Sequence, residues 1–225
     1  MTYATQSSAF TVPEFTIVCA ETPSVNDMPA LKTLFGILVP RSGEITLNGE
    51  SVAATAPRRM LEKGVAFVPQ GRNLFGSLSV LHNLELGGIT IRSSTIRAER
   101  IAEVLGRFPR IRERQHNQAS TLSGGEQKQL EVGRALLLRP RVILIDEPSI
   151  GLSPIISQEV FRLLRRLADE GTTVLMVEQN VRSALAYADR ALVLEMGRLA
   201  LERPAAELLR DPDLNRLFLG GVRKS

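Results

Sequence analysis

From residue 40 onward, short runs of apolar and β-branched residues alternate with longer segments whose apolar positions recur every third or fourth residue. This alternation predicts an α/β fold, a mostly parallel sheet covered by helices. Residues 65–68 (VAFV), 142–145 (VILI) and 173–177 (TVLMV) are near-continuous apolar runs, the pattern of strands buried on both faces. Between the last two, residues 155–170 carry Val160, Leu163, Leu164 and Leu167 on one side and Arg162, Arg165, Arg166 and Asp169 on the other, which predicts the crossover helix that parallel strands need. Residues 95–108 place Ile101, Val104, Leu105 and Phe108 on one face of a second amphipathic helix. Residues 43–48 read as a strand closed by the turn pair Asn48-Gly49, and residues 190–195 and 198–201 as a hairpin broken at Met196-Gly197. Residues 31–36, 204–209 and 214–219 read as short helices. The first thirty residues differ in kind: Thr, Ser, Pro and Glu are scattered without a period, and only residues 16–20 resemble a strand.

Composition narrows the class without changing the fold. A chain of 225 residues, 44% apolar and 23% charged, can bury the core of one compact domain or two small ones, which excludes disordered and collagen-like chains. One cysteine, Cys19, can build neither a disulfide framework nor a four-thiolate zinc site, so a reducing compartment is expected. The apolar stretches fall far short of the roughly 18 to 20 residues that span a bilayer, and the chain opens with no basic segment leading an apolar one, so neither a membrane span nor a secretory signal is expected. The 28 basic residues against 24 acidic ones would suit an anionic partner such as nucleotide, nucleic acid or lipid headgroups, but this excess decides nothing alone.

Chemistry concentrates in two segments. Leu122-Ser123-Gly124-Gly125-Glu126-Gln127 leads into a helical stretch; Ser123 can cap that helix, and the paired glycines let backbone N–H groups approach a phosphate at its positive end. An isolated Ser-Gly-Gly is ordinary turn chemistry. The helix, however, runs directly into residues 142–148 (VILIDEP), an apolar strand delivering Asp146 and Glu147 at its C-terminal edge, where open α/β sheets bind ligands. Two carboxylates at a strand end can serve one site, one holding Mg²⁺ and the other polarising an attacking water.

In these residues the sequence resembles the nucleotide-binding subunit of ATP-binding-cassette (ABC) transporters. Residues 122–127 resemble its signature motif and residues 142–148 its Walker B strand; Val68-Pro69-Gln70 resembles its Q-loop, and residues 149–154 (SIGLSP) stand where its D-loop should be. The resemblance covers residues 31–221. It implies a P-loop-NTPase-like cassette: a single domain over residues 1–225, with a mostly parallel core and a helical lobe near residues 77–130. It implies ATP and Mg²⁺ as cofactors, Asp146 and Gln70 at the metal, and Glu147 as general base. Gln70 would also sense the γ-phosphate and contact the membrane subunit. Ser123, Gly124, Gly125 and Glu126 would serve a nucleotide held by a partner cassette.

Residues 68–75 (VPQGRNLF), 149–154, 177–180 (VEQN) and 217–221 (LFLGG) resemble the second ATPase subunit of branched-chain amino-acid importers, or its relative in urea importers. Gln179 occupies the place where most cassettes carry a switch His, and an amide there can only hydrogen-bond to the γ-phosphate because it does not titrate. The implied setting is the cytoplasmic face of the membrane. The implied partners are permease subunits, a second ATPase subunit in a heterodimer or homodimer and, indirectly, a substrate-binding protein, with no nucleic acid.

One part of the pattern is missing. A cassette needs G-x-x-x-x-G-K-[ST] before the helix at residues 31–36, to cradle phosphates with backbone N–H groups, neutralise them with Lys and bind Mg²⁺ with a hydroxyl. This chain has ETPSVNDMPA at residues 21–30, with Asp27 at the Lys position, Met28 at the hydroxyl position and no glycine before Gly36. The charge at the phosphate site is therefore reversed. Three origins fit: a natural pseudo-ATPase, a degraded gene, or a first segment partly out of frame. Codons for residues 20–26 can be chosen so that a one-base shift reads Arg-Asn-Ala-Ile-Gly-Lys, and the sequenced gene decides that point. The functional alternatives are an impaired importer ATPase and an inactive cassette that completes a partner's site.

Overall fold

The computed structural model describes residues 14–20, 29–71, 73–195 and 198–212. In chain order the elements are β1 (Phe15–Ala20), α1 (Pro29–Leu34), β2 (Thr46–Leu47), β3 (Glu50–Ser51), α2 (Pro57–Glu62), β4 (Val65–Val68), α3 (Val80–Gly87), α4 (Ser94–Arg107), α5 (Pro109–Glu113), α6 (Gly124–Leu136), β5 (Val142–Asp146), α7 (Pro154–Asp169), β6 (Thr173–Val177), α8 (Val181–Leu185), β7 (Arg190–Glu195), β8 (Arg198–Pro204) and α9 (Ala205–Arg210). A short 3₁₀ turn at Ala119–Thr121 precedes α6.

Six strands form one sheet in the order β4-β5-β6-β1-β7-β8. The first five run parallel and β8 pairs antiparallel with β7 through a register shift at Val193/Leu194. The segment with the least legible sequence neighbourhood, β1, lies inside the sheet with Ile17 paired to Met176 on one side and Ala191 on the other. Alternate residues of the strands sort into two cores. Phe15, Ile17, Cys19, Ile143, Ile145, Val174 and Met176 face α7 and its neighbours, whereas Val18, Leu144, Leu175, Val177 and Leu192 face Leu31, Phe35, Val52 and Met60.

The crossover helix α7 shows how sequence becomes packing. Ser153 accepts the Ile156 N–H as its cap, and Pro154 fills the first turn, where its missing N–H costs nothing. Val160, Leu163, Leu164 and Leu167 are then buried on the predicted face, with Phe161 buried beside them, each contributing about 1.5 to 3 kcal/mol. The expected strand at residues 43–48 is shorter, only Thr46–Leu47 pairing with Glu50–Ser51, because the turn through Asn48 (φ 53°) and Gly49 (φ 80°) closes a two-residue hairpin. The second strand of the late hairpin runs further than expected, to Pro204. Residues 21–28, the Met196-Gly197 break and the expected helix at residues 214–219 lie outside the described residues.

Candidate functional site

The site forms at the C-terminal ends of β4, β5 and β6. In-register pairing sets Val68 beside Ile145, and Asp146 beside Val177, so the residues that follow each strand emerge along one edge. Asp146 ends β5 and is buried at 4% exposure. Glu147 follows with φ 43°, a left-handed conformation that disfavours a branched or bulky L side chain, and its N–H donates to the Val177 carbonyl at 2.9 Å.

The Glu147 carboxylate is held from both sides. Gln70, two residues beyond β4, donates from Nε2 to Oε2 at 2.7 Å. Gln179, two residues beyond β6, donates from Nε2 to Oε1 at 2.6 Å. Side chains from three separate sequence motifs thus meet, two amides on one buried carboxylate. Charge-assisted hydrogen bonds of this kind are the strong ones, about 1.5 to 3 kcal/mol each, and here they fix the orientation of an acceptor at the strand edge.

The signature segment is built differently. Ser123 caps α6: its Oγ accepts the Glu126 N–H at 3.4 Å and donates to Glu126 Oε2 at 2.9 Å, while the Ser123 N–H donates to the same oxygen at 2.8 Å. This is a reciprocal capping box. Arg114 Nη1 also donates to Glu126 Oε2, at 3.1 Å. Partial burial of Glu126 would raise its pKa, but the two Ser123 hydrogen bonds and Arg114 prevail and hold the carboxyl below its ordinary value. Glu126 is therefore engaged in the cap, while Ser123 and Gly124 are exposed at the helix start. The two glycines also have a packing reason invisible in the sequence. A Cβ on Gly124 would stand 2.8 Å from Leu152 Cδ2, and one on Gly125 2.7 Å from Ile156 Cγ2.

Three further buried charged side chains, Lys128, Glu131 and Glu178, lie outside the predicted site residues. Lys128 Nζ contacts Glu131 Oε2 at 2.6 Å, with side chains 7% and 5% exposed, and Glu131 Oε1 accepts the Asn73 N–H at 3.0 Å, tying α6 to the segment that follows Gln70. Arg134 donates to the Asn73 carbonyl from the same helix and stacks over Phe75. Glu178, 3% exposed, accepts N–H groups from Ser149, Gln179 and Asn180. The i, i+3 spacing of Lys128 and Glu131 was a signal that could have found the first pair. Glu178 stands inside the VEQN segment, where the resemblance gives a role to Gln179 alone.

For Mg²⁺, the Asp146 carboxylate and the Gln70 amide oxygen are hard donors of the right kind. Among the described residues no group of three or more His, Cys, Asp or Glu side chains could enclose a metal unaided. The donor set fits an ion held largely by waters and substrate phosphates.

The family model for ABC transporters matches residues 30–150. The chain belongs to the ABC transporter ATP-binding family. Its relatives include the high-affinity branched-chain amino acid transport ATP-binding protein BraG of Pseudomonas aeruginosa, 42% identical over 191 residues that cover 85% of this chain and 82% of the relative. The probable branched-chain amino acid transport ATP-binding protein LivF of Archaeoglobus fulgidus is 36% identical, covering 85% and 81%. The lipopolysaccharide export system ATP-binding protein LptB of Escherichia coli is 33% identical, covering 81% and 77%. Among solved structures, a nucleotide-free ATP-binding cassette from an ABC transporter superposes with a TM-score of 0.80 at 22% identity, covering 92% of this chain and 88% of the other. An ADP-conformation cassette reaches 0.81 at 23%, covering 93% and 89%. The α/β cassette fold is thus the fold of this chain, whose family is one of ATP-hydrolysing transporter subunits.

Proposed function

We propose that this chain is the ATP-binding subunit of an importer for branched-chain amino acids or a related small polar solute, coupling ATP binding and hydrolysis to uptake from the cytoplasmic face of the membrane. The observation that carries the reading is the buried Glu147 carboxylate held by Gln70 and Gln179 at the edge of a parallel sheet. In that role Glu147 is the general base, Asp146 and Gln70 would hold the Mg²⁺ that neutralises phosphate charge, and Gln179 is the neutral hydrogen-bonding group beside the γ-phosphate. The helices from residue 77 to 130 form the lobe that presents the signature. An open groove of about 280 Å³, lined by Phe67, Asn73, Arg134 and Leu138, lies against the segment after Gln70, where a permease segment would dock.

The sequence of residues 21–30 makes this chain's own phosphate site impaired, while Ser123 and Gly124 lie exposed at the start of α6 for a nucleotide held by a partner cassette, with Gly125 packed against Ile156 and Glu126 holding the cap behind them. The alternative, an inactive cassette that only completes the partner's site, is favoured by the same segment. A heterodimer with an intact partner is expected to retain ATP hydrolysis, and Ser123→Arg in this chain is expected to abolish it by placing bulk and misplaced donors at the γ-phosphate. Equal hydrolysis with and without Ser123→Arg overturns the reading that the signature is used. A clear fall in the purified chain's own ATPase rate on Glu147→Gln shows instead that its own site works.

A further inference from the structure

We propose that Glu178 is a positioning residue that locks the loop bearing Gln179 to the segment beginning at Ser149, and so holds Gln179 in reach of Glu147. Glu178 directly follows β6, and its own N–H donates to the Val18 carbonyl at 3.3 Å, seating it against β1. Its two carboxylate oxygens divide between two loops. Oε2 accepts the Ser149 N–H at 3.1 Å, and Oε1 accepts the N–H groups of Gln179 and Asn180, each at 2.9 Å. Ser149 lies two residues after Glu147, and Gln179 donates back to Glu147 Oε1 at 2.6 Å. The result is a closed ring: Glu147 through Pro148 to Ser149, across to Glu178, on to Gln179, and across again to Glu147.

The chemistry of the residue type argues that the ring has a purpose. A carboxylate buried to 3% exposure sacrifices its hydration, and among the described residues no ion pair neutralises it. An apolar side chain would fill the space without that cost. What an apolar side chain cannot do is accept three N–H groups from two different loops, and only the ionised carboxylate has acceptor capacity on both oxygens with no donor to misplace. The position is thus shaped for joining the loops rather than for filling volume. Gln70, which reaches Glu147 from β4, stands outside the ring and serves as an internal control.

The functional consequence rests on the proposed role of Glu147, but the lock is tested without turnover. The full-length chain, isotopically labelled, is compared with Glu178→Ala and Glu178→Gln by residue-resolved amide exchange and by the side-chain amide resonances of Gln70 and Gln179. In Glu178→Ala, exchange at Ser149, Gln179 and Asn180 is expected to quicken about tenfold or more, as local opening replaces a protected state, while Leu144 and Leu175 in the sheet keep their rates. The Gln179 side-chain amide signals are expected to move to solvent-averaged positions while those of Gln70 stay. Glu178→Gln keeps one acceptor oxygen and turns the other into a donor, so it is expected to release one loop and hold the other, a pattern that decides the matter if the alanine variant fails to fold. Unchanged exchange at all three amides, equal acceleration in the sheet, or joint displacement of the Gln70 and Gln179 signals overturns the proposal. A heterodimer insensitive to Ser123→Arg overturns only the functional reading.

Discussion

At the scale of single residues, the environment sets what each group can do. Glu126 is held below its ordinary carboxyl pKa of 4.5 against the opposing effect of partial burial, through Ser123 and Arg114. A depressed folded-state value means that its stabilising contribution is present above the unfolded value and is lost as pH falls through the folded one. Glu126→Gln is therefore expected to weaken the fold near neutral pH and to flatten its loss of stability in acid, read from urea midpoints at about pH 7 and about pH 3.5. Cys19 shows the opposite case: burial first, and the charge of Glu178 second, push its thiol up to about 12. Thiolate is the reactive form, so thiol reagents are expected to leave the folded chain unlabelled near neutral pH and to label it once denaturant is added. Labelling of the native chain at the rate of a free thiol contradicts that assignment.

At the scale of elements, α6 links the two halves of the candidate site. Its first turn is capped by Ser123, its second carries the buried Lys128 and Glu131 pair, and Glu131 with Arg134 grips both backbone groups of Asn73. The helix approaches the start of α7 closely enough that Gly125 has no room for a methyl group. Gly125→Ala would gain about 1 kcal/mol of helix propensity, but the Cβ placed 2.7 Å from Ile156 Cγ2 forces a shift that typically costs about 1 to 3 kcal/mol. A net loss of stability is expected in denaturant unfolding, and it is expected to be recovered largely when Ile156→Ala is added, because the two sites are in contact and do not act additively. Additive effects of the two changes would show that the contact is not the cause.

At the scale of the whole molecule, the sequence of residues 21–30 departs from the family's phosphate-loop pattern, with Asp27 at the Lys position and no glycine. On the proposed impairment of the phosphate site, charge-assisted contacts worth about 1.5 to 3 kcal/mol each are lost, and two or more such losses lower affinity about a hundredfold or further. The isolated chain is expected to bind MgATP weakly or not at all by calorimetry, and micromolar affinity would contradict the loss of the loop.

Elements whose signals are local are legible in the chain alone. Apolar runs fixed β4, β5 and β6, three- and four-residue spacing fixed α4 and α7, and Ser123 marked the start of α6, because strand burial, helix periodicity and capping all depend on neighbours within a turn or two of chain. The sequence also singled out Gln70, Gln179 and Glu147, one from each of three separate motifs. It takes the folded arrangement to show that both amides meet the same carboxylate, that β1 lies inside the sheet rather than at its margin, and that Glu178 spans two loops. Those facts depend on which strands pair and in what register, a choice made by contacts between residues as far apart as Phe15 and Val174, and no local spacing encodes it. Gly125 is the same lesson in one atom: the sequence gives a reason for glycine at a helix start, and only the packed Ile156 shows why nothing larger fits.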